Sequence, residues 1–260
     1  MNTLSKIILK IFRNFGYNIQ KIQKEEKIYL SYDEIYKKIF NKRIVIFDVG
    51  ANKGQSINRF LKNFPNSIIH CFEPIEKEFN YLRKNYGHLS NIHLNNFALG
   101  EKSYKKDFFI NAKSSTSSFY KIMQKSSWLK LRSKENNVNS AFFSKKKSVK
   151  ISTADSYCKK NKINKIHILK IDTQGYEDKV LIGCKSLLNN EKISAIELEV
   201  MFDNVYDQHS TFTDVEKNLI KNNYRFAGIE TCNNNLFENV LFFGDLLYIN
   251  KDILRFHLKK

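Results

Sequence analysis

Ile44-Val45-Ile46-Phe47-Asp48-Val49-Gly50-Ala51-Asn52-Lys53-Gly54-Gln55-Ser56 is an apolar strand that runs into a glycine turn and then into a helix. Within residues 44–49 every side chain but Asp48 is aliphatic or aromatic, as in a strand covered on both faces. Glycine lets a backbone come close to a ligand where a Cβ would collide, and the helix that follows offers free N–H groups to a carboxylate or phosphate. A plain strand-to-helix turn would look the same, so the surrounding sequence has to distinguish the two.

Outward from this stretch, buried-strand runs alternate with helical patterns, the sign of a parallel sheet with helices on both faces. The strand runs are 44–49, 67–72, 92–97, 166–171 and 193–200, with amphipathic helices near 54–63, 76–86 and 176–188. A helix near 212–223, a strand near 225–230 and a last apolar run at 240–249 follow. The last two strands, joined across Asn233, Asn234 and Asn235, read as a hairpin that closes the sheet antiparallel. The expected fold is therefore α/β, a mostly parallel seven-stranded sheet with an antiparallel terminal strand. Residues 101–150, Lys- and Ser-rich with Trp128, Phe142 and Phe143, read as an insertion over the ligand-binding edge. The domain plan is a basic helical extension over 1–43 and one larger domain over 44–260.

Glu73 closes the second strand in Cys71-Phe72-Glu73-Pro74, 19 residues beyond Gly54. An acidic residue at that place accepts hydrogen bonds from the ribose hydroxyls of a nucleoside cofactor. The glycine spacing is Gly-x-x-x-Gly, not the Gly-x-Gly-x-x-Gly of nicotinamide enzymes, and the Lys-Ser/Thr pair of nucleoside triphosphate loops is missing. Asp48 can orient the turn or meet a cofactor ammonium through water. In Asn95-Asn96-Phe97-Ala98-Leu99-Gly100, Asn96 and Ala98 could read an adenine edge, although Asn at a strand end is also ordinary turn chemistry.

Taken together, Phe47-Asp48-Val49-Gly50-Ala51-Asn52-Lys53-Gly54, Phe72-Glu73-Pro74, Ala98-Leu99-Gly100 and Leu169-Lys170-Ile171-Asp172-Thr173-Gln174-Gly175-Tyr176-Glu177 resemble the FkbM family of S-adenosylmethionine-dependent methyltransferases. The resemblance runs over about residues 43–230. Ser114-Ser115-Thr116-Ser117-Ser118, Ile151-Ser152-Thr153-Ala154-Asp155 ahead of a helix, and Glu199 seven residues before Tyr206 add to it. It implies a Rossmann-like class I methyltransferase fold and S-adenosyl-L-methionine held by Asp48, Gly50, Asn52, Gly54, Gln55, Ser56, Glu73, Pro74, Asn96, Ala98 and Asp172. It also implies an acceptor hydroxyl on a sugar or surface glycan precursor, as in lipopolysaccharide or capsule biosynthesis, or on a polyketide. Three departures bear on the acceptor half: Gln174 where Glu is frequent, Ala154 for Leu, and Tyr206-Asp207-Gln208 for Tyr-Glu-Gly.

Such enzymes move the methyl group by in-line displacement, and a neutral hydroxyl must lose its proton as it attacks. Asp172 and Glu199, at the carboxyl ends of the fourth and fifth strands, are the first candidates for the base, followed by Tyr206 and His209. Glu177 reads as a helix cap. Asp172, Glu199 and His209 could share a divalent cation, but their spacing is no recognised metal motif and no metal is expected.

The chain carries a net charge of +18, unevenly placed: +6 over residues 1–43, +10 over 101–150 and +2 over the remainder. The two basic segments would suit an anionic acceptor or surface, while 37 of the 44 basic residues being Lys also suits plain compositional bias. Leu4, Ile7, Ile8, Ile11, Phe12 and Phe15 form a helical stripe among Lys6, Lys10 and Arg13, so residues 1–15 could lie against an anionic membrane face or dock on the protein itself or in a homodimer. This segment lacks the continuous apolar centre of a secretory signal, and no stretch approaches the roughly 18 apolar residues of a membrane span. A cytoplasmic protein, peripheral at most to the inner face of the membrane, is expected. Cys71, Cys158, Cys184 and Cys232 are scattered and read as reduced packing residues.

Two rival classes remain. An RNA-modifying methyltransferase would suit the charge, but base N-methylation in this fold uses an Asn/Asp-Pro-Pro-aromatic turn where this chain has Asp172-Thr173-Gln174-Gly175, so no nucleic-acid partner is expected. A non-catalytic binding module is disfavoured by the intact Asp48, Gly50, Gly54 and Glu73.

Overall fold

The computed structural model describes residues 12, 14, 31–41, 43–130, 145–230 and 242–258. The chain divides into two compact units, residues 1–35 and 36–260. The expected helix of residues 4–15 lies outside the described residues apart from Phe12 and Asn14, which are helical. In the first unit Ser31 opens helix α1 (Tyr32–Ile39): its N–H and hydroxyl both donate to Glu34 Oε2, at 2.8 and 2.9 Å.

The larger unit is built on seven strands: β1 (Val45–Val49), β2 (Ile68–Phe72), β3 (Ile92–Asn95), β7 (Ile166–Ile171), β8 (Ile193–Met201), β9 (Tyr224–Glu230) and β10 (Phe243–Asn250), in the order β3-β2-β1-β7-β8-β10-β9. Strands β3, β2, β1, β7 and β8 pair in parallel, and β10 is antiparallel to both its neighbours. The α/β fold with a mostly parallel seven-stranded sheet is thus present. The antiparallel strand is last in sequence but sits inside the sheet, with β9 at the edge. The Asn-rich connection between β9 and β10 lies outside the described residues.

The strand runs that are apolar without alternation are the central ones. In β7 and β8 nearly every side chain is buried, because helices cover both faces. These are α2 (Gln55–Asn63), α3 (Glu76–Tyr86), α4 (Ala154–Asn161), α5 (Glu177–Ile182), α6 (Lys185–Asn189) and α7 (Phe212–Ile220); α8 (Lys251–Leu258) follows β10. The single helix expected over 176–188 is two, broken at Gly183, where a Cβ would stand 2.0 Å from the carbonyl oxygen of Gly100. The capping box of α7 pairs Thr211 with Asp214. No helix among the described residues is long and apolar enough to cross a membrane. Cys71, Cys158 and Cys184 are buried free thiols, and Cys232 lies outside the described residues.

The expected third strand ends at Asn95, and Ala98 and Leu99 form a short strand β4 in a second sheet. That sheet has the order β4-β6-β5, with β5 at Tyr104–Ile110 and β6 at Lys145–Ser152. The two ends of the basic segment 101–150 therefore form an antiparallel pair that registers Tyr104 with Ile151 and Phe108 with Lys147. Its inner face places Phe108, Val149 and Ile151 in the main core.

Candidate active site

Strand β1 has β2 on one side and β7 on the other, with Val49 level with both Phe72 and Ile171. From β1 the chain steps to β2 and β3 in one direction along the sheet and from β7 to β8 in the other, and an open α/β sheet carries its crevice at such a switch of direction. There a cleft of about 270 Å³ opens. Gly50, Asn52, Gln55, Ser56, Glu73, Pro74, Ala98 and Asp172, all expected to hold a cofactor, line it. Phe108, Ser114, Ser115, Ser117 and Phe119 from the basic segment form the facing wall.

Three expected residues stand outside that lining. Asp48 is fully buried beneath the turn, beside Lys170 in the strand register. Gly54 packs on the ring of Tyr86, where a Cβ would come within 2.6 Å. Asn96 is exposed and donates its side-chain amide to the carbonyl of Glu73 at 2.9 Å. Gly50, with φ of 88°, is likewise explained by the protein itself, since its Cβ would meet the carbonyl oxygen of Asp172.

Glu73 is 3% exposed and fixed by the turns around it: Oε2 accepts from Asn52 N–H at 2.9 Å and Oε1 from Ile75 N–H at 2.7 Å. A carboxylate has about four acceptor positions, so two remain for a ligand. Burial pushes its pKa up to about 7 despite these two donors. The arrangement fits a ribose diol, which brings two hydroxyl donors to an otherwise under-satisfied buried acid. Burial also lifts Asp48 to about 6, against the pull of Lys170 and with the charge of Asp172 adding to the rise. Neither Asp48 oxygen has a hydrogen-bond partner. Lys170 stays charged: burial alone would lower its pKa, but Asp172, Asp48, Glu197 and Asp245 around it hold the ammonium above its ordinary value.

A second cavity of about 170 Å³ is lined by Lys113, Ser115, Thr116, Trp128, Asp172, Gln174, Glu199, Met201 and Phe243. Ser115, Asp172 and Gln174 line both cavities, so the two share a wall segment. At that segment Asp172 takes Lys170 Nζ on Oδ2 at 3.2 Å and Gln174 Nε2 on Oδ1 at 3.0 Å. Gln174 Nε2 also donates to Glu199 Oε2, and Tyr206 Oη donates to Gln174 Oε1 at 2.8 Å. Tyr206 is buried, which holds its phenol well above the ordinary pKa, and Thr116 O lies 3.0 Å from its oxygen. Burial first, then the charge of Asp172, pushes the Glu199 carboxyl well above the usual range.

Asp172, Glu199 and Tyr206 are therefore brought together. His209 is not: it packs over Gly175, outside both linings. Glu177 holds the turn itself, accepting from Thr173 N–H, Thr173 Oγ1 and Gly175 N–H. Gln174, read from sequence only as a departure, is the hub of the site. Its φ is 56°, and its carbonyl accepts from Ser118 Oγ at 2.7 Å. The signal that could have found it is its place between Asp172 and Gly175, in a turn that must expose one side chain to the strand ends. No group of three or more His, Cys, Asp or Glu among the described residues is arranged to hold a metal ion.

A stretch of 151 residues is 25% identical to the 2-O-methyltransferase NoeI of Sinorhizobium fredii, covering 57% of this chain and 60% of that one. The chain thus spans about 60% of the length of this curated relative. A precorrin-6y C5,15-methyltransferase from Geobacter metallireducens superposes with a TM-score of 0.40 at 10% identity, covering 88% of this chain and 93% of the other. M. capricolum TrmK, solved with S-adenosyl-homocysteine, gives 0.40 at 12% identity over 85% and 69% of the two chains. Residues 48–226 match the methyltransferase FkbM domain from the acid of the first turn to the edge strand β9. With the match spanning both the Glu73 cleft and the Asp172 turn, this chain belongs to the FkbM methyltransferase domain family, whose cofactor is S-adenosylmethionine.

Proposed function

We propose that this protein is an O-methyltransferase that acts on a hydroxyl of a sugar or surface glycan precursor, with residues 44–260 as its catalytic domain. The observation that carries the reading is the shared wall: Asp172 and Gln174 border the Glu73 cleft on one side and the second cavity on the other. S-adenosylmethionine, when bound, supplies a methyl group activated by a sulfonium. Glu73 would hold its ribose, and the turn Gly50–Asn52 with Ala98 would border the rest.

The chain's own part is to position the acceptor and remove its proton. Each oxygen of Asp172 holds one partner, the Lys170 ammonium or the Gln174 amide, and its charge is paired with that of Lys170. Among the described residues Glu199 is hydrogen-bonded through Oε2 alone, which leaves Oε1 for an acceptor hydroxyl. A carboxylate whose pKa is raised is also the stronger proton acceptor near neutral pH. We therefore assign Glu199 as the base, Asp172 as the group that orients and tunes it through Gln174, and Tyr206 as the anchor of Gln174. The name of the Sinorhizobium relative supports a hydroxyl acceptor. The excess positive charge of residues 101–150 favours one that carries a carboxylate or phosphate. Loss of methyl groups from the surface glycan of a deletion strain, read by mass, together with cofactor binding to the purified protein, tests the reading; an unchanged glycan mass would defeat the assignment of substrate.

A further inference from the structure

The second cavity combines two kinds of wall. Trp128, Met201 and Phe243 are apolar, with Trp128 and Met201 at 5% exposed each. Opposite in character, Asp172, Gln174 and Glu199 present two carboxyl groups and an amide. Exposed Lys113 and Ser115 complete the rim. An apolar acceptor chain would leave Glu199 Oε1 and the second acceptor positions of the Asp172 oxygens unfilled, a cost of kcal/mol size for a polar group buried unpaired. A purely ionic acceptor would leave the indole, thioether and phenyl groups against charge. A ring with an apolar C–H face and an edge of hydroxyl donors satisfies both walls, and carboxylates are acceptors for just such donors.

We propose that this cavity binds one pyranose ring of the acceptor, with Trp128, Met201 and Phe243 along its C–H face and Asp172, Gln174 and Glu199 at its hydroxyl edge. The proposal rests on the methyl-transfer reading above and deepens it, because it assigns sugar recognition to a cavity whose Trp128, Glu199, Met201 and Phe243 the Glu73 cleft does not contain. Trp128 also packs in a buried cluster with Ile122, Leu129 and Val205, and it takes no part in the Glu73 cleft. Lys113, at the rim, is the cation placed to meet an anionic substituent of the same sugar. Glu199 does double duty, accepting the hydrogen bond of the hydroxyl that is to be methylated and then its proton.

Trp128 is the single tryptophan of the chain, so its emission reports this cavity directly. The full chain is first titrated with S-adenosylhomocysteine by calorimetry and then, saturated with it, with methyl α-D-glucopyranoside, methyl α-L-fucopyranoside and methyl β-D-glucuronide, with sorbitol as an open-chain polyol. At least one pyranoside should change the Trp128 emission saturably in the millimolar range or below, and sorbitol should not. By calorimetry, Trp128→Phe should weaken that pyranoside about tenfold while S-adenosylhomocysteine binds as before, which also shows that the variant is folded. Emission indifferent to every pyranoside, or equally responsive to sorbitol, in a protein that binds S-adenosylhomocysteine overturns the proposal and leaves the methyl-transfer reading standing. Failure to bind S-adenosylhomocysteine removes the methyl-transfer reading, and the proposal with it.

Discussion

Gly50 and Asp172 meet backbone to backbone: a Cβ on Gly50 would stand 1.9 Å from the Asp172 carbonyl oxygen. Beside this contact, Asp172 N–H donates to Val49 O at 2.9 Å. The turn that borders the cofactor cleft and the turn that carries the candidate catalytic groups are therefore one packed unit at the ends of β1 and β7. Placement of donor and acceptor depends on this junction, since a shift of about 1 Å can cost on the order of a hundredfold in rate.

Gly50→Ala should be among the most damaging single changes. The added methyl group is opposed by main-chain atoms that cannot rotate away, and the φ of 88° is strained for any side chain. A loss of at least about 3 kcal/mol is expected, which for a domain of this size lowers Tm by roughly 6–12 °C. A thermal melt of the variant checks it, and a Tm within a degree or two of the parent would refute the packing argument.

Gln174→Ala should separate catalysis from cofactor binding. It removes the amide that joins Asp172 to Glu199 and leaves Glu73 and its donors untouched. We expect kcat to fall about a hundredfold, the lower range of what a positioned acid or base contributes, with S-adenosylhomocysteine affinity unchanged by calorimetry. Tyr206→Phe should show the same pattern more weakly, at about 1 kcal/mol for one lost hydrogen bond.

The difference between those two halves of the site also explains what could be read in advance. Gly50, Asn52 and Glu73 lie within one strand-turn-helix-strand unit, so local spacing carries their meaning. The second cavity is assembled from Ser115, Trp128, Gln174, Glu199 and Phe243, which come from separate segments of the chain and meet only in the folded protein. The small sheet was hidden for another reason. In β5 the pattern Tyr104-Lys105-Lys106-Asp107-Phe108 looks solvated, yet Lys106 lays its stem inward with its ammonium 4.7 Å from the Tyr176 ring centre. The reason for the glycines was also out of reach, because the groups that would collide with a Cβ, Asp172 and Tyr86, belong to other elements.

Stability should increase as the pH is lowered from 8 toward 6. Burial raises Asp48 to about 6, Glu73 to about 7, Glu177 to about 7 and Asp245 to about 6, all above their values in an unfolded chain. Across that window the folded protein takes up protons that the unfolded chain does not, so protonation favours the folded state. The gain should level off near pH 4.5, where the unfolded carboxyl groups also become protonated. Melts of cofactor-free protein at half-unit steps test this, and a Tm that falls steadily from pH 8 to pH 6 would contradict the burial of these four acids.

The pH dependence of turnover should identify the base. If Glu199 must be ionised to accept the hydroxyl proton, kcat/KM rises with pH along a limb whose midpoint lies well above the ordinary carboxylate range, because burial and then Asp172 push Glu199 up. Glu199→Gln should abolish that limb along with most of the activity. Asp172→Asn removes the negative neighbour that disfavours ionisation, so in its residual activity the midpoint should move to lower pH. A merely structural role for Asp172 would lower the rate without moving the midpoint. A limb that survived in Glu199→Gln would transfer the proton-accepting role away from Glu199 and make Asp172 the group to test next, whereas a midpoint that stayed in place in Asp172→Asn would remove Asp172 as the group that tunes Glu199.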